Sequence, residues 1–303
     1  MSNTAIESKA TIPCRDETSR VCESAALVCD VSLVLDQTIC RLMTRPMPFS
    51  ARRLGLLLGL ICMTAFPASA ERSLSSEPWA NILTTYVARG PDGVNLVDYG
   101  ALKANVEDRR KLDAYIRQFE TADFGAMSRD EQFAAWSNLY NAVTVRYVVE
   151  KYPIGSIKPW YSAGPWKDIE VEADGKTLSL HAIEHDVLRE QWSDDPRLHY
   201  AINCASYSCP DLRRTPWRAA TLDEDLNEAA RAYVNHPRGV RIDDSGIDVS
   251  SIYKWFREDF GGSEAAVIDH LLLYADTKLA EQITARRRID DYDYDWSLND
   301  TAG

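Results

Sequence analysis

From residue 128 onward the chain repeats apolar side chains with helical period. Phe133, Trp136, Tyr140, Val143 and Tyr147 recur at spacings of three and four until Pro153 ends the pattern. Ser128-Arg129-Asp130-Glu131 stands in front of it as a capping box, in which hydroxyl and carboxylate each satisfy a free amide of the first turn. The pattern predicts a central buried helix. Alternation of period two follows at Ile169, Glu170, Val171 and Glu172, then Asp174-Gly175, then Thr177-Leu178, which predicts a hairpin because Asp-Gly tolerates positive φ. Ser179 is placed to cap a helix reaching about Glu190.

Residues 198–202 are apolar, short and preceded by Asp195-Pro196, and are expected to form a buried strand that delivers Asn203 and Cys204 to a loop. Thr221-Leu222-Asp223-Glu224 reads as a second capping box. A hairpin is expected across residues 243–246, then helices over 251–260, ended by Gly261, and over 264–276. Asp291, Asp293 and Asp295 alternate with Tyr292, Tyr294 and Trp296, the signature of a half-buried strand. Together these elements predict one compact α+β domain with a central buried helix packed on a small, mostly antiparallel sheet with further helices.

The first seventy residues read differently. Arg52 and Arg53 precede an apolar run over 54–66, and Pro67-Ala68-Ser69-Ala70 closes it with the small residues that signal peptidase reads. The run is shorter than the ~20 residues of a membrane span. The expected division is a disordered or mis-assigned leader over 1–42, a signal peptide over 43–70 and a single domain over 71–303, with a periplasmic or secreted product. The formal net charge of -12 repels a phosphate backbone, so nucleic acid is not an expected partner. A periplasmic protein, peptide or small molecule is, and no membrane span is expected in the mature chain.

Several strings together resemble the domain-of-unknown-function 547 family. They are Trp136-Ser137-Asn138-Leu139-Tyr140-Asn141, Ser179-Leu180 with Ile183-Glu184-His185, residues 195–206, Ser208-Cys209-Pro210 and residues 292–299. Relatives carry this domain beside glutaredoxin or coiled-coil regions, so the resemblance implies thiol chemistry or scaffolding. No glutaredoxin segment is present here.

Cys204 and Cys209 are the only cysteines beyond residue 70. One reading is a structural disulfide pinning the loop of an exported protein. Another makes Cys204 a nucleophile of a hydrolase or acyl transferase, with His185 or His199 as base and Asn203, or a helical Asn, orienting that base. If 198–202 is a strand, His199 and Cys204 point to opposite faces, which favours His185. A reversible redox pair is a third reading.

His181-Ala182-Ile183-Glu184-His185 spells H-x-x-E-H, an inverted zinc-peptidase motif that would need a later carboxylate such as Glu258. The family resemblance covers only Ile183-Glu184-His185, and a buried polar pair of Glu184 with His185 is the plainer use. No metal and no cofactor are expected. Asn138 and Asn141 either face the Cys204 loop as site residues or bond to loop backbone. Arg197 either holds a substrate carboxylate or pairs with Asp195 or Asp211. Asp291, Asp293 and Asp295 lack the Gly and distal Glu of a calcium loop. Trp160, Tyr161, Pro165 and Trp166 form an aromatic loop suited to stacking or to covering the core. No G-x-S-x-G elbow or phosphate loop occurs beyond residue 70.

Overall fold

The structure, a computed structural model, describes residues 74–159 and 162–302. The leader and signal peptide expected over 1–70 lie outside the described residues, as do Trp160 and Tyr161. In chain order the elements are α1 (Glu77–Tyr86), β1 (Val87–Arg89), β2 (Asn95–Val97), α2 (Tyr99–Ala104), α3 (Val106–Arg117) and α4 (Arg129–Lys151). The hairpin β3 (Glu170–Ala173) and β4 (Lys176–Ser179) follows, then α5 (Leu180–Ala182), a π-helical stretch Ile183–Leu188, α6 (Arg189–Gln191) and α7 (Leu198–Ala201). The last part holds α8 (Leu222–Val234), β5 (Val240–Ile242), β6 (Ile247–Ser250), α9 (Ile252–Trp255), α10 (Glu264–Tyr274), α11 (Thr277–Arg286) and β7 (Asp291–Asp293).

This is an α+β fold, and its strands are divided among three small sheets. β1 with β2 and β3 with β4 are antiparallel pairs, while β5, β6 and β7 form a three-stranded sheet in which β6 and β7 run parallel. The expected central helix is α4, and its capping box is formed on both sides. Its burial exceeds the stripe read from the sequence: every residue from Phe133 to Val145 is buried. Small side chains at Ala134, Ala135 and Ala142 let neighbours close over the faces that the large aromatics do not occupy. Those neighbours are chiefly α2, α3 and the π-helical stretch rather than a sheet.

The β3–β4 hairpin has the expected register, with Ala173 opposite Lys176. Both turn residues are left-handed, Asp174 at φ 53 and Gly175 at φ 67, the pair of positive φ values that a two-residue hairpin turn requires. β7 alternates as expected, with Asp291 and Asp293 exposed and Tyr292 partly covered.

Three local expectations are corrected. Residues 198–201 form the short helix α7 instead of a strand, and Ile202 alone is extended. Leu198, His199 and Tyr200 donate amides to the carbonyls of Asp195, Pro196 and Arg197, so the Asp-Pro turn winds the chain into a helix. Thr221 makes no capping hydrogen bond to the amides of α8, because its hydroxyl donates to Asp225. The helix expected over 251–260 stops at Trp255, beyond which turns carry the chain to Gly261 at φ 96.

Candidate functional site

Ser179 accepts the amide of Ala182 and starts the helix that carries Glu184, His185 and Arg189. Between Ile183 and Leu188 the helix widens to π geometry, a device found often at functional sites. Facing it is the loop after α7. Asn203 braces that loop from within: its amide nitrogen donates to the Pro210 carbonyl at 2.7 Å, and its oxygen accepts the Ala205 amide at 2.9 Å. Ala205 takes φ 63, an uncommon left-handed conformation for a residue with a Cβ, directly after Cys204. α9 and the chain after β7 contribute Trp255, Phe256, Tyr294 and Trp296. These surfaces enclose a cavity of about 190 Å³ that Cys204, Cys209, Glu184, His181, His185 and His199 also line.

Cys204 and Cys209 are free thiols with sulfurs 2.7 Å apart. The Cys209 thiol donates to the Cys204 sulfur, and Cys209 Sγ accepts the Cys204 amide at 2.9 Å. The Ser206 hydroxyl lies 3.0 Å and the Tyr294 hydroxyl 3.3 Å from Cys204 Sγ. Burial alone would raise the Cys204 pKa. Hydrogen bonds from Cys209, Ser206, Tyr294 and the Ser206 amide outweigh it and bring the pKa down to about 6. Burial and the neighbouring Cys204 push Cys209 the other way.

Glu184 is buried and accepts the Tyr140 hydroxyl at 3.0 Å. Burial pushes its pKa up to about 7, against that hydrogen bond. His185 Nδ1 lies 2.7 Å from the Arg189 guanidinium. Burial, then the nearby His181 and Arg189, lower its pKa to about 4. Arg189 grips Asp259 with two bonds of 2.6 and 2.8 Å, and Asp259 also meets His199 Nε2 at 2.7 Å. Burial opposes ionisation of Asp259, but His199 and Arg189 hold it well below the usual carboxylate range. Burial also lowers His199, with Asp259 opposing.

The cavity therefore brings together Cys204, Cys209, Glu184, His185 and His199. Among the described residues no hydrogen bond joins Cys204 to either imidazole. His199 lines the cavity after all, because the helical turn of α7 removes the strand alternation that had turned it away. Asn203 orients the loop and not a base: the histidines are held by Arg189 and Asp259 instead. Asn138 and Asn141 act likewise on backbone. Asn138 exchanges two bonds with Trp217, at 2.9 and 3.0 Å, and Asn141 joins the Ala201 carbonyl to the Asn203 amide at 2.9 and 2.7 Å. The Arg197 guanidinium is held by two bonds to the Asp195 carboxylate, by the carboxylate and the carbonyl of Asp223, and by Asn227.

His181 and His185 share one helix face, as their spacing implies, with ring centroids 4.2 Å apart and planes tilted by 36°. Glu258 is exposed and does not line the cavity, and the guanidinium beside His185 repels a cation. Among the described residues no group of three or more His, Cys, Asp or Glu is arranged to hold a metal ion. Sequence reasoning missed Ser206, Arg189, Asp259 and the direct role of Tyr294. Only Tyr294 carried a signal, its place on the aromatic face of the terminal strand.

Residues 124–234 match the family described as protein of unknown function, DUF547. The matched region is 111 of the chain's 303 residues. That region supplies α4, the π-helical stretch and both cysteines, whereas Asp259, Tyr294 and the tryptophans at 255 and 296 come from the chain beyond it. No curated protein and no solved structure matches the chain. Among the described residues no helix is long and apolar enough to cross a membrane.

Proposed function

We propose that the protein is an exported, cysteine-dependent hydrolase or acyl transferase acting on a peptide or amide. The observation that carries this reading is the set of donors converging on Cys204 Sγ in a cavity that also holds a buried acid. A thiol ionised near neutrality is a ready nucleophile, and an acid with a pKa of about 7 is matched to proton exchange at working pH. In this reading the Cys204 thiolate adds to the carbonyl carbon, and the carbonyl π pair moves to oxygen. As the C–N bond breaks, protonated Glu184 gives its proton to the departing nitrogen, leaving a thioester on Cys204. Water attacks that thioester, Glu184 takes the water proton, and the acid leaves with Cys204 again a thiolate. An amine in place of water gives transfer.

Proton exchange falls to Glu184 rather than His185, because a histidine held near 4 is a weak base that remains neutral. Export is supported by the residue pattern over 43–70, and N-terminal sequencing of the exported protein would place its first residue at Glu71.

A second reading is a non-catalytic binding or scaffold protein whose Cys204–Cys209 bridge pins the loop, favoured by the 2.7 Å between the sulfurs. One experiment separates the two. Reduced protein is mixed with p-nitrophenyl acetate, and nitrophenol release is followed beside intact mass. The enzyme reading expects a stoichiometric burst with acetyl on Cys204, no burst in Cys204→Ala, and a burst with slowed turnover in Glu184→Gln. Absence of an acyl adduct on Cys204 sinks it and leaves the scaffold.

A further inference from the structure

Cys204 and Cys209 differ in access although their sulfurs touch. Cys204 is partly exposed at the cavity, while Cys209 is buried, 5% exposed. A small oxidant entering the cavity therefore meets Cys204 first. The second thiol comes from the same loop and is fixed from several directions. The Cys209 amide donates to the Ser206 carbonyl at 3.0 Å, and Arg238 donates to the Cys209 carbonyl at 2.9 Å. The Asn203 side chain ties the start of the loop to Pro210 at its end. No movement of a helix or sheet is needed to bring the sulfurs to the ~2.0 Å of a covalent bond.

We propose that Cys204 is a site of oxidation by hydroperoxides and that Cys209 is its resolving thiol. The Cys204 thiolate attacks the terminal peroxide oxygen, which stays on sulfur with its hydrogen; the O–O bond breaks, and the departing alkoxide, or hydroxide from hydrogen peroxide, takes a proton from solvent to give alcohol or water, so that Cys204 becomes a sulfenic acid while the peroxide is reduced. The Ser206 and Tyr294 hydroxyls, 3.0 and 3.3 Å from the sulfur, are donors beside the reacting atom. The Cys209 sulfur then attacks Cys204 Sγ, the S–O bond breaks, and the sulfenic oxygen departs as water with the Cys209 proton. The product is an intraloop disulfide. Two electrons leave the thiol pair and reduce one peroxide, and a thiol reductant returns the pair to its starting state. Burial of Cys209 protects it from direct oxidation, and its nearness protects Cys204 from passing to the irreversible acids.

The inference stands on the two sulfurs and does not depend on acyl transfer. Arg197 and Arg213 flank both cysteines, so trypsin releases them in one peptide over residues 198–213. Reduced full-length protein, freed of reductant, is treated with equimolar hydrogen peroxide in the presence of dimedone, digested and weighed. The expected wild-type peptide is lighter by two hydrogens, resists iodoacetamide until reductant is added, and carries no dimedone. Cys209→Ser should instead carry dimedone on Cys204. In Cys204→Ser, Cys209 should oxidise at least about tenfold more slowly than the wild-type pair.

A wild-type peptide that keeps both thiols overturns the proposal without reference to any variant. So does dimedone on wild-type Cys204 at the level seen in Cys209→Ser, or a bridge to another chain in place of the intraloop one. The mass readout uses no acyl substrate, so its failure is distinct from failure of the enzyme reading.

Discussion

Cys204 depends on groups far away in the sequence. Ser206 is a neighbour, but Tyr294 arrives from beyond β7, and its hydroxyl also lies 2.9 Å from Ser206 Oγ. Burial and the charge on Cys204 keep the Tyr294 pKa well above its ordinary value, so it stays protonated and able to donate. A hydrogen bond to a charged group contributes about 1.5 to 3 kcal/mol, and one pKa unit corresponds to about 1.4 kcal/mol. Removing one donor should thus raise the Cys204 pKa by about one unit. In reduced protein the rate of Cys204 alkylation by iodoacetamide should rise with pH around a midpoint near 6, because the thiolate is the reacting form. Tyr294→Phe and Ser206→Ala should move that midpoint upward, toward the ordinary thiol value of about 8.5. Stopped-flow rates from acid to mild alkali would measure it. An unmoved midpoint in both variants would mean that these hydroxyls do not stabilise the anion.

At the scale of elements, α4 is the frame on which the site is hung. It was the most legible part of the chain because its capping box and periodic aromatics are local signals. Its polar residues could not be assigned from the sequence, since Asn138 and Asn141 face partners 79 and 60 residues away. The β3–β4 hairpin was legible for the same local reason, the Asp174-Gly175 turn. The region around residue 199 was not: a short apolar run fits a strand or a helical turn equally, and the backbone bonds made by Asp195 to Arg197 decide between them. Asp259 was hidden because its Phe-Arg-Glu-Asp surroundings resemble an ordinary helix end.

The two kinds of support on α4 should differ in cost. Ser128→Ala removes a cap at an exposed helix start and should cost about 1 kcal/mol. Asn138→Ala leaves the Trp217 amide and carbonyl without these partners in a buried setting and should cost about 2 to 4 kcal/mol. Urea unfolding of both variants checks the order. Equal costs would show that water replaces the Asn138 bonds.

Over the whole molecule, the buried titratable groups set a definite response to acid. Burial lowers the pKa of His185 and His270 to about 4 and lowers His199 and His236 as well. In the unfolded chain each returns to about 6.5. Between these values the unfolded state holds protons that the folded state refuses, so each histidine adds stability at neutral pH that is lost on acidification. Glu184 acts in the opposite sense. The fold keeps its proton up to about 7 while the unfolded chain releases it above about 4.3, so its contribution is present at low pH and fades as pH rises through 7. His185 and His270 together outweigh one glutamate between roughly pH 4.5 and 6.5, and His199 and His236 act in the same direction. Stability should therefore fall as pH drops through that window. Below it the loss should continue as Asp259, whose folded pKa is depressed, is protonated in the unfolded chain first. Glu184→Gln removes the opposing contribution and should make the acid slope steeper than in the wild type. Urea midpoints at half-unit steps across the window test both statements. A wild-type midpoint that rises on acidification would mean that the buried histidines do not refuse protons in the fold, and a Glu184→Gln slope shallower than the parent would mean that Glu184 is ionised in the folded protein and is not a proton carrier near neutrality.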